Sequence, residues 1–558
     1  MAGASAAAAE PAQRQADWPL RPWLLAGMLG LAGLLIHFVT DGRGADLHDG
    51  WRAALAAFLF FGTLSAAFTV EEDRWTEPAA FSLGAGVVMA GLAWRAVSAG
   101  DALPDPAYGF AAGVLALLLA LPLFQAGFFR RRLATPYAET HYHVWTDAIG
   151  GAGALAFTGL AWLVLLILSE LFHLLKIDLL RQLMDRGWFG WTFSGLAFGA
   201  ALGTLRNQAR VLGTLQSVVM LVLSLLALPV AAGLAIFLLA TAVSGPEVLW
   251  QATRSATPVL LMCAAGAFVL VNAIVRGEDA AMSGSRVMRL AAYALTIVLF
   301  PLAAFAAVSM GLRLAQYGLA PERLWGLTAI IVACAWGLGY WGALLRGWRG
   351  NWAAKLREAN FHLALGTCAL ALLLALPVLD FGALSTRNQL ARLRSGAVSA
   401  EDFDYAALRW DFGAAGRKAL EGLAKGGGKP AEYASAALAQ KTRPYGQPIR
   451  PDSKIDLRVQ PEDPALRRLV LAYLRTEPWQ CPERCVALDL GAGPNGTRRI
   501  ALVSGGGFQQ LTLGEGGTSA APPRAAGPAL KPDSTVEIRT LEKRYIFVDG
   551  KPMDRPLD

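Results

Sequence analysis

The sequence predicts a predominantly α-helical protein, in which a bundle of about eleven transmembrane helices precedes a small C-terminal α+β extramembrane domain. The first observation is composition: 55% of the residues are hydrophobic and 16% are charged, whereas an ordinary soluble domain has about 25% charged residues. The second is that the apolar residues form long runs of the roughly 20 residues that cross a bilayer as a helix. The third is that the last such run, residues 361–379, is followed directly by Asp380 and by no further run.

This division predicts four regions. Residues 1–17 are rich in alanine and polar residues and are expected to be a disordered tail. Residues 18–380 form the transmembrane helical domain, residues 381–460 a helical connector outside the membrane, and residues 461–558 the small α+β domain.

Eleven apolar runs satisfy the length criterion for a membrane-spanning helix. They lie at residues 22–40, 51–70, 79–98, 108–129, 150–175, 188–205, 211–243, 258–275, 290–312, 324–345 and 361–379. No Asp, Glu or Lys falls near the middle of a run. Since proton and cation relays usually need such groups, the pattern argues against an ion-coupled pump.

The basic residues predict how the chain crosses the membrane. The net charge of +8 is carried mainly by short Lys and Arg clusters between apolar runs, such as Arg130, Arg131 and Arg132. That pattern is typical of cytoplasmic loops, so we expect the lipid bilayer and not nucleic acid as the surroundings of this charge. The clusters fall mostly in alternate loops. They predict a multi-pass protein of the bacterial inner membrane, with a cytoplasmic N-terminus and a periplasmic C-terminus.

After the last run, the hydrophobic periodicity changes from helical to alternating. Residues 465–475 have apolar residues at helical spacing, which predicts an amphipathic helix. Strands are predicted by the alternating residues Val486, Leu488, Leu490, Ile500 and Leu502. Residues 488–496 match the G-x-G-x-x-G spacing of nucleotide-binding loops, but a strand-like segment follows instead of a helix. We therefore interpret Asn495-Gly496 as a hairpin turn.

Two cysteines of the tail, Cys481 and Cys485, are expected to form a local disulfide bond in an oxidising compartment. No His or further Cys follows residue 380 to complete a zinc site. Three more cysteines, Cys263, Cys334 and Cys368, lie inside the runs and are interpreted as small packing residues. The sequence predicts no metal ligands, no cofactor and no catalytic residues.

Two polar clusters lie at the ends of the fifth run. Glu170 and His173 are three residues apart and share one helix face, which makes them a candidate polar pair in the membrane. At the interface, however, such groups can simply reach water. His141, His143 and Asp147 precede the run among aromatic residues, and we interpret them as an interfacial amphipathic segment with a metal site as the alternative.

Three stretches together resemble a known family. They are YGLAPERL at 317–324, DFGALSTRNQL at 380–390 and FDYAALR at 403–409. They resemble the bacterial membrane proteins grouped as domain of unknown function 4153, in a layout that covers most of residues 20–420. The resemblance implies a polytopic inner-membrane protein and implies no chemistry.

The first stretch can also be interpreted as a tight turn between two spans. Gly318 allows a helix to end, Pro321 suits the first turn of the next helix, and Glu322 lies near the positive end of that helix. With Tyr317 and Arg323, these residues form the family-like turn. A binding loop at the outer surface is the alternative.

These observations leave three hypotheses for function. The first is an inner-membrane envelope protein whose bundle positions a periplasmic interaction module for an envelope protein partner. The second is a transporter or flippase for a lipid or an apolar solute, which needs no carboxylate in mid-span. The third is a membrane-embedded enzyme acting on a lipid-linked substrate, with Glu170 and His173 as its acid–base pair. The first is the leading hypothesis, because an ordered-looking tail is joined to spans that are poor in charge, and the sequence contains no catalytic or transport pattern.

Overall fold

The computed structural model describes residues 18–40, 48–245, 256–440, 443, 455–477, 480–481, 484–493, 496–504, 507–514, 517–520, 545–548 and 551–556. The chain divides into two compact units. The first, here called the membrane unit, comprises the described residues up to Arg392 together with Asp411–Ala415. The second comprises Leu393–Trp410 and the described residues from Gly416 onward. The predicted tail at residues 1–17 lies outside the described residues.

Eleven helices of at least 20 residues form the membrane unit, and each predicted run corresponds to one of them. They are α1 (Arg21–Thr40), α2 (Gly50–Thr69), α3 (Thr76–Ser98), α4 (Pro106–Gln125), α5 (Tyr137–Leu174), α6 (Gly187–Asn207), α7 (Ala209–Ser244), α8 (Ala256–Val275), α9 (Arg286–Tyr317), α10 (Pro321–Arg346) and α11 (Trp352–Ala375). Shorter elements are the helices Phe128–Arg131 and Leu179–Met184, the 3₁₀ turns Gly100–Ala102 and Arg132–Ala134, and α12 (Phe381–Arg394).

Within the described residues, ten of these helices are long and apolar enough to cross a membrane. The remaining long helix is α6, which has 21 residues but is rich in glycine and aromatic residues. It packs extensively along α1. The structure therefore confirms the predicted fold class, a predominantly helical multi-pass membrane protein.

Glycines make the contact between α1 and α6. Gly195, Gly199 and Gly203 follow one another at intervals of four residues and lie on one side of α6. A Cβ atom on Gly199 would overlap the carbonyl oxygen of Leu25, and one on Gly195 would overlap that of Leu29. Small residues at such spacing let two helix backbones approach closely. This contact is therefore made largely by backbone atoms.

Helix α5 is longer than the sequence predicts. It has 38 residues and begins at Tyr137, so the segment interpreted as interfacial and amphipathic is the first part of a continuous helix. Thr140, His141, Thr146 and Ile149 are buried there. The interfacial interpretation is thus wrong for this segment, because its polar side chains pack between helices of the bundle.

The second unit contains short helices and two sheets. Its elements after α12 are α13 (Tyr405–Trp410), α14 (Gly413–Ala424, whose first residues belong to the membrane unit), α15 (Lys429–Leu438), α16 (Pro464–Thr476), β1 (Asp456–Gln460), β2 (Arg484–Ala492), β3 (Arg498–Ser504), β4 (Gly507–Gly514), β5 (Gly517–Ala520), β6 (Tyr545–Val548) and β7 (Lys551–Pro556). Strands β1 to β5 form one sheet in chain order, and β6 pairs with β7.

The five-stranded sheet is mixed. Strand β1 runs parallel to β2, with Leu457 beside Cys485, whereas β2 and β3 are antiparallel, with Leu488 beside Ala501. This antiparallel pair agrees with the predicted hairpin, although Asn495 in its turn lies outside the described residues. The parallel pair requires a crossover connection. Helix α16 lies in that crossover.

Helix α16 closes the core of this sheet. Leu466, Val470 and Leu474 lie on one face of the helix and are almost fully buried. They belong to one apolar cluster with residues of the strands, among them Ile500 and Leu511. The predicted amphipathic helix therefore covers a sheet with its apolar face.

Candidate functional site

The family-like turn joins α9 and α10 at one end of the membrane unit. Helix α9 ends at Tyr317, Gly318 adopts a positive φ of 72°, and α10 begins at Pro321 with Glu322 in its first turn. Arg323 donates from Nη1 to the carbonyl oxygen of Gly318 at 2.7 Å. A non-glycine residue at φ 72° would be strained, so Gly318 suits this turn for the reason the sequence suggests.

Helix α12 holds this turn through three polar side chains. Asn388 Oδ1 accepts a hydrogen bond from the Leu319 amide at 2.8 Å. Gln389 Nε2 donates to the carbonyl oxygens of Tyr317 and Leu319, both at 2.8 Å. Arg392 Nη2 donates to the carbonyl oxygen of Gln316 at 2.7 Å. Two of the three family-like stretches therefore bind each other, a pairing that the sequence analysis did not infer.

A cavity of about 170 Å³ lies near this docked turn, among α3, α4, α10, α11 and α12. Three charged side chains line it: Arg95, Asp105 and Asp380. Arg95 Nη1 donates to the carbonyl oxygen of Ala375, the last residue of α11, at 3.2 Å. Asp380 Oδ1 accepts from the amide of Ala383 at 2.9 Å and thereby caps α12.

Aromatic rings form part of the cavity wall. Trp325 packs edge to face on Phe381, with ring centroids 5.1 Å apart, and stacks on Tyr108 at 5.7 Å. Phe110 also lines the cavity. A concave site with apolar walls and a few charged groups is the usual form of a small-ligand site. This site suits a ligand with an apolar body and a polar or charged head.

Sequence reasoning missed most of this cavity. Asp105 adopts φ 48° and ψ 60° directly before Pro106 at the start of α4. Aspartate is one of the few side chains that tolerate this left-handed conformation. An acidic residue before a proline in a short loop was the available signal, but nothing in the sequence indicates that Arg95 and Asp380 lie beside it.

A buried polar network joins α5, α8, α10 and α11 of the membrane unit. Asn360 on α11 donates to Tyr137 Oη on α5 at 2.9 Å and to Asn272 Oδ1 on α8 at 2.6 Å. Tyr340 on α10 donates to Asn360 Oδ1 at 2.7 Å and accepts from Asn272 Nδ2 at 2.8 Å. No charge pattern in the sequence marks these residues, because Asn272, Tyr340 and Asn360 are uncharged. Their mutual hydrogen bonds indicate that they hold helices together.

The structure does not bring Glu170 and His173 into a cavity. Both side chains are exposed near the end of α5. His173 Nδ1 lies 2.5 Å from Asp178 Oδ1, a residue just beyond the helix. The catalytic role of the pair stays an untested hypothesis, to which this geometry adds a carboxylate partner for His173 and no enclosed site.

Cys481 and Cys485 lie close together in the second unit. Their Cα atoms are 5.5 Å apart and their sulfur atoms are at bonding distance. Both side chains are buried in the core that α16 covers. Whether the pair is oxidised in the cell stays a prediction. Among the residues that the structure describes, no cluster of three or more His, Cys, Asp or Glu side chains could hold a metal ion.

These features define a multi-pass membrane protein with a separate C-terminal unit that contains an α+β domain. The family model described as "Domain of unknown function (DUF4153)" matches residues 53–423, more than half of the chain, and the chain belongs to that family. Comparison with curated proteins found no match. Comparison with solved structures found none either.

Proposed function

We propose that this chain is an inner-membrane envelope protein whose helical bundle anchors the α+β domain in the periplasm as an interaction module. The observation that carries the proposal is that this domain has an apolar core of its own. Leu466, Val470, Ile500 and Leu511 belong to one cluster formed by α16 and the sheet. A domain with its own core can present its remaining surface to a partner.

Two further observations support the periplasmic placement. The Arg-rich loops mostly alternate with Arg-poor loops along the sequence, with Lys176, Arg181 and Arg186 as the main exceptions, and such a bias is what the positive-inside rule expects of a multi-pass protein. Cys481 and Cys485 have the spacing of a disulfide bond, and such bonds persist in oxidising compartments such as the periplasm.

Reporter fusions test the placement. An enzyme reporter that is active only outside the cytoplasm, fused after Asp558, is expected to be active. The same reporter inserted after Gly284, in the basic loop between α8 and α9, is the matched control and is expected to be inactive. Activity at Gly284 together with inactivity after Asp558 would reverse the proposed topology and refute the periplasmic module.

Photocrosslinking in living cells tests the interaction. A photoreactive residue at Phe508, a partly exposed position of β4, is expected to give one discrete protein adduct. The same residue at Leu155, exposed on α5 in the membrane unit, is the control and is expected to give lipid adducts. Lipid adducts alone at both positions would contradict an interaction module.

The cavity beside the docked turn favours a second candidate function, transport of a lipid or another amphiphile. Its guanidinium group, two carboxylates and aromatic wall suit a ligand with a charged head and an apolar body. The purified full chain is expected to retain phospholipid that native mass spectrometry detects, and Arg95→Gln is expected to reduce that retention. Arg210→Gln, at an exposed position, is the control. Equal retention by both variants would argue against this candidate.

A further inference from the structure

A second and smaller cavity lies among α2, α4, α5, α6 and α7, apart from the one already described. Its volume is about 20 Å³, which is about the room that one water molecule needs. It is lined by side chains that ionise or form hydrogen bonds, among them Gln125, His143, Asp147 and Arg206. Three of these come from helices long and apolar enough to span the membrane.

Two buried oxygen atoms at this cavity have no partner. Gln125 Nε2 donates to Asp147 Oδ1 at 3.2 Å and to the carbonyl oxygen of Phe68 at 3.0 Å. Asp147 Oδ2 and Gln125 Oε1 are buried without any hydrogen bond. Both atoms are acceptors, and buried acceptors without a donor are costly. A small group that donates hydrogen bonds would therefore satisfy both atoms.

Arg206 provides positive charge beside this carboxyl group. Its side chain is buried, and its Nη1 donates to the carbonyl oxygen of Ala67 at 2.5 Å. Asp147 and Arg206 thus line one small cavity inside the bundle, and ionisable residues within membrane helices often mark proton relays.

Among the described residues that line the cavity, the charged and titratable ones come from two helices, and Arg21 and Glu71 lie close enough to act electrostatically on Arg206. His143 and Tyr142 lie on α5 itself, and Arg206 lies on α6. Helix α4 contributes the neutral Gln125, while α2 and α7 contribute the apolar Phe68 and Leu212. Helix α5 also carries Glu139 one turn before His143, where it pairs with Arg131 at 2.7 Å.

We propose that Asp147 is a reversible proton-binding site inside the bundle, and that one water molecule bridges its Oδ2 atom and Gln125 Oε1. In the ionised form, the water donates to both oxygens. When a hydronium ion arrives, its proton forms the O–H bond on Oδ2 and leaves water behind. The new carboxylic acid donates to the bridging water, which donates to Gln125 Oε1. Both acceptors are thus satisfied in either state.

This site goes beyond the proposed anchoring role, because it gives the membrane unit a group that responds to protons. Asp147 belongs to a segment that the sequence pattern predicts to be interfacial. In the structure it lies on the continuous helix α5, with its Oδ2 atom buried. The charge-poor runs therefore do not exclude a proton-linked function.

Infrared difference spectroscopy of the full chain in lipid nanodiscs tests the proposal. The wild-type protein is expected to show the carbonyl band of a protonated carboxylic acid that appears reversibly as the pH falls. Asp147→Asn is expected to lose this band. Asp178→Asn, at an exposed carboxyl group paired with His173, is expected to retain it. A band that persists unchanged in Asp147→Asn would overturn the proposal.

A second variant keeps the test decisive if Asp147→Asn does not fold. Gln125→Leu removes the hydrogen bond to Oδ1, so the pH midpoint of the band is expected to move upward. An unchanged midpoint would refute the site. The titration is repeated with potassium in place of sodium, and the same midpoint is expected in both. Suppression of the band by sodium alone would also overturn the proposal, because it would indicate a sodium site.

Discussion

Different kinds of contact stabilise the membrane unit and the α+β domain internally. In the membrane unit, α1 and α6 meet through glycines such as Gly199, and four other helices share hydrogen bonds around Asn360. In the α+β domain, large apolar side chains such as Leu466 fill the space between a helix and a sheet. The difference follows from the solvent, since lipid gives no hydrophobic drive for helices to associate whereas water does.

The first prediction uses matched leucines in the two regions. Leu466→Ala removes an almost fully buried side chain of the α+β domain and is expected to cost about 2–5 kcal/mol of its unfolding free energy. Leu302→Ala, at a fully buried position of α9, is expected to lower stability less. Denaturant unfolding of the full chain, followed separately in each region, measures both. An equal loss in the two regions would contradict the comparison.

A second prediction concerns backbone packing in the membrane unit. Gly199→Val places a Cβ atom against the backbone of α1, which cannot move aside as a flexible side chain could. We expect a loss of about 1–3 kcal/mol, as for overpacked sites, and less folded protein in the membrane. Gly27→Val, on α1 with no atom within 4 Å of the added Cβ, is the control. Equal thermal stability of the two variants would show that α1 and α6 do not meet here.

The polar network around Asn360 is expected to contribute less to stability than the glycine contact between α1 and α6. Tyr340→Phe removes the hydroxyl group that bonds to both Asn272 and Asn360, and each such bond between membrane helices is worth about 0.6–1.7 kcal/mol. The thermal midpoint in detergent is expected to fall modestly. Tyr293→Phe is the control, because Tyr293 packs its ring on Trp352. Equal destabilisation by Tyr293→Phe and Tyr340→Phe would contradict a stabilising role of the network.

The smallest expected effect depends on pH and lies at the start of α16. Hydrogen bonds from the amides of Leu466 and Ala465 hold the pKa of Asp463 below its ordinary value. Because the folded-state pKa is depressed, the cap stabilises the domain above the unfolded pKa of about 3.9. That stabilisation is lost as the pH falls through the folded-state value.

The matching experiment compares two neighbouring substitutions. Asp463→Asn is expected to make the stability of the α+β domain less dependent on pH in the acid range, while Glu462→Gln is expected to leave the dependence unchanged. Thermal unfolding monitored from pH 7 down to the acid range measures both. A wild-type pH dependence in Asp463→Asn would rule out this cap as its source.

The two regions also differ in how much the sequence reveals. Apolar runs in the sequence locate the eleven long helices, although α6 is less apolar than the ten that are long and apolar enough to cross a membrane. The hydropathy pattern misplaces the start of α5, since Asp147 and the two histidines before it resemble residues of an interface. The helix begins at Tyr137, and neighbouring helices bury part of its first segment, including His141. The local hydropathy of the sequence does not show which polar side chains neighbouring helices will bury.

Site residues are harder to predict than spans. Asn272, Tyr340 and Asn360 are single uncharged residues in separate helices, so no spacing relates them, yet the fold brings them within hydrogen-bonding distance. In the α+β domain, alternation predicts the β2–β3 pair. It does not predict the parallel β1, because that pairing depends on residues far apart in sequence.

The placement of the α+β domain outside the cytoplasm is tested most directly by the state of its cysteines. Thiols of the full chain in freshly isolated membranes are alkylated under denaturing conditions, with and without prior reduction. Mass spectrometry then measures the mass shift of the peptides that contain Cys481 and Cys485. Cys263, Cys334 and Cys368, which are free in the structure, serve as internal references. We expect Cys481 and Cys485 to take up label only after reduction. If both take up label without reductant, the disulfide is absent and the periplasmic placement is contradicted.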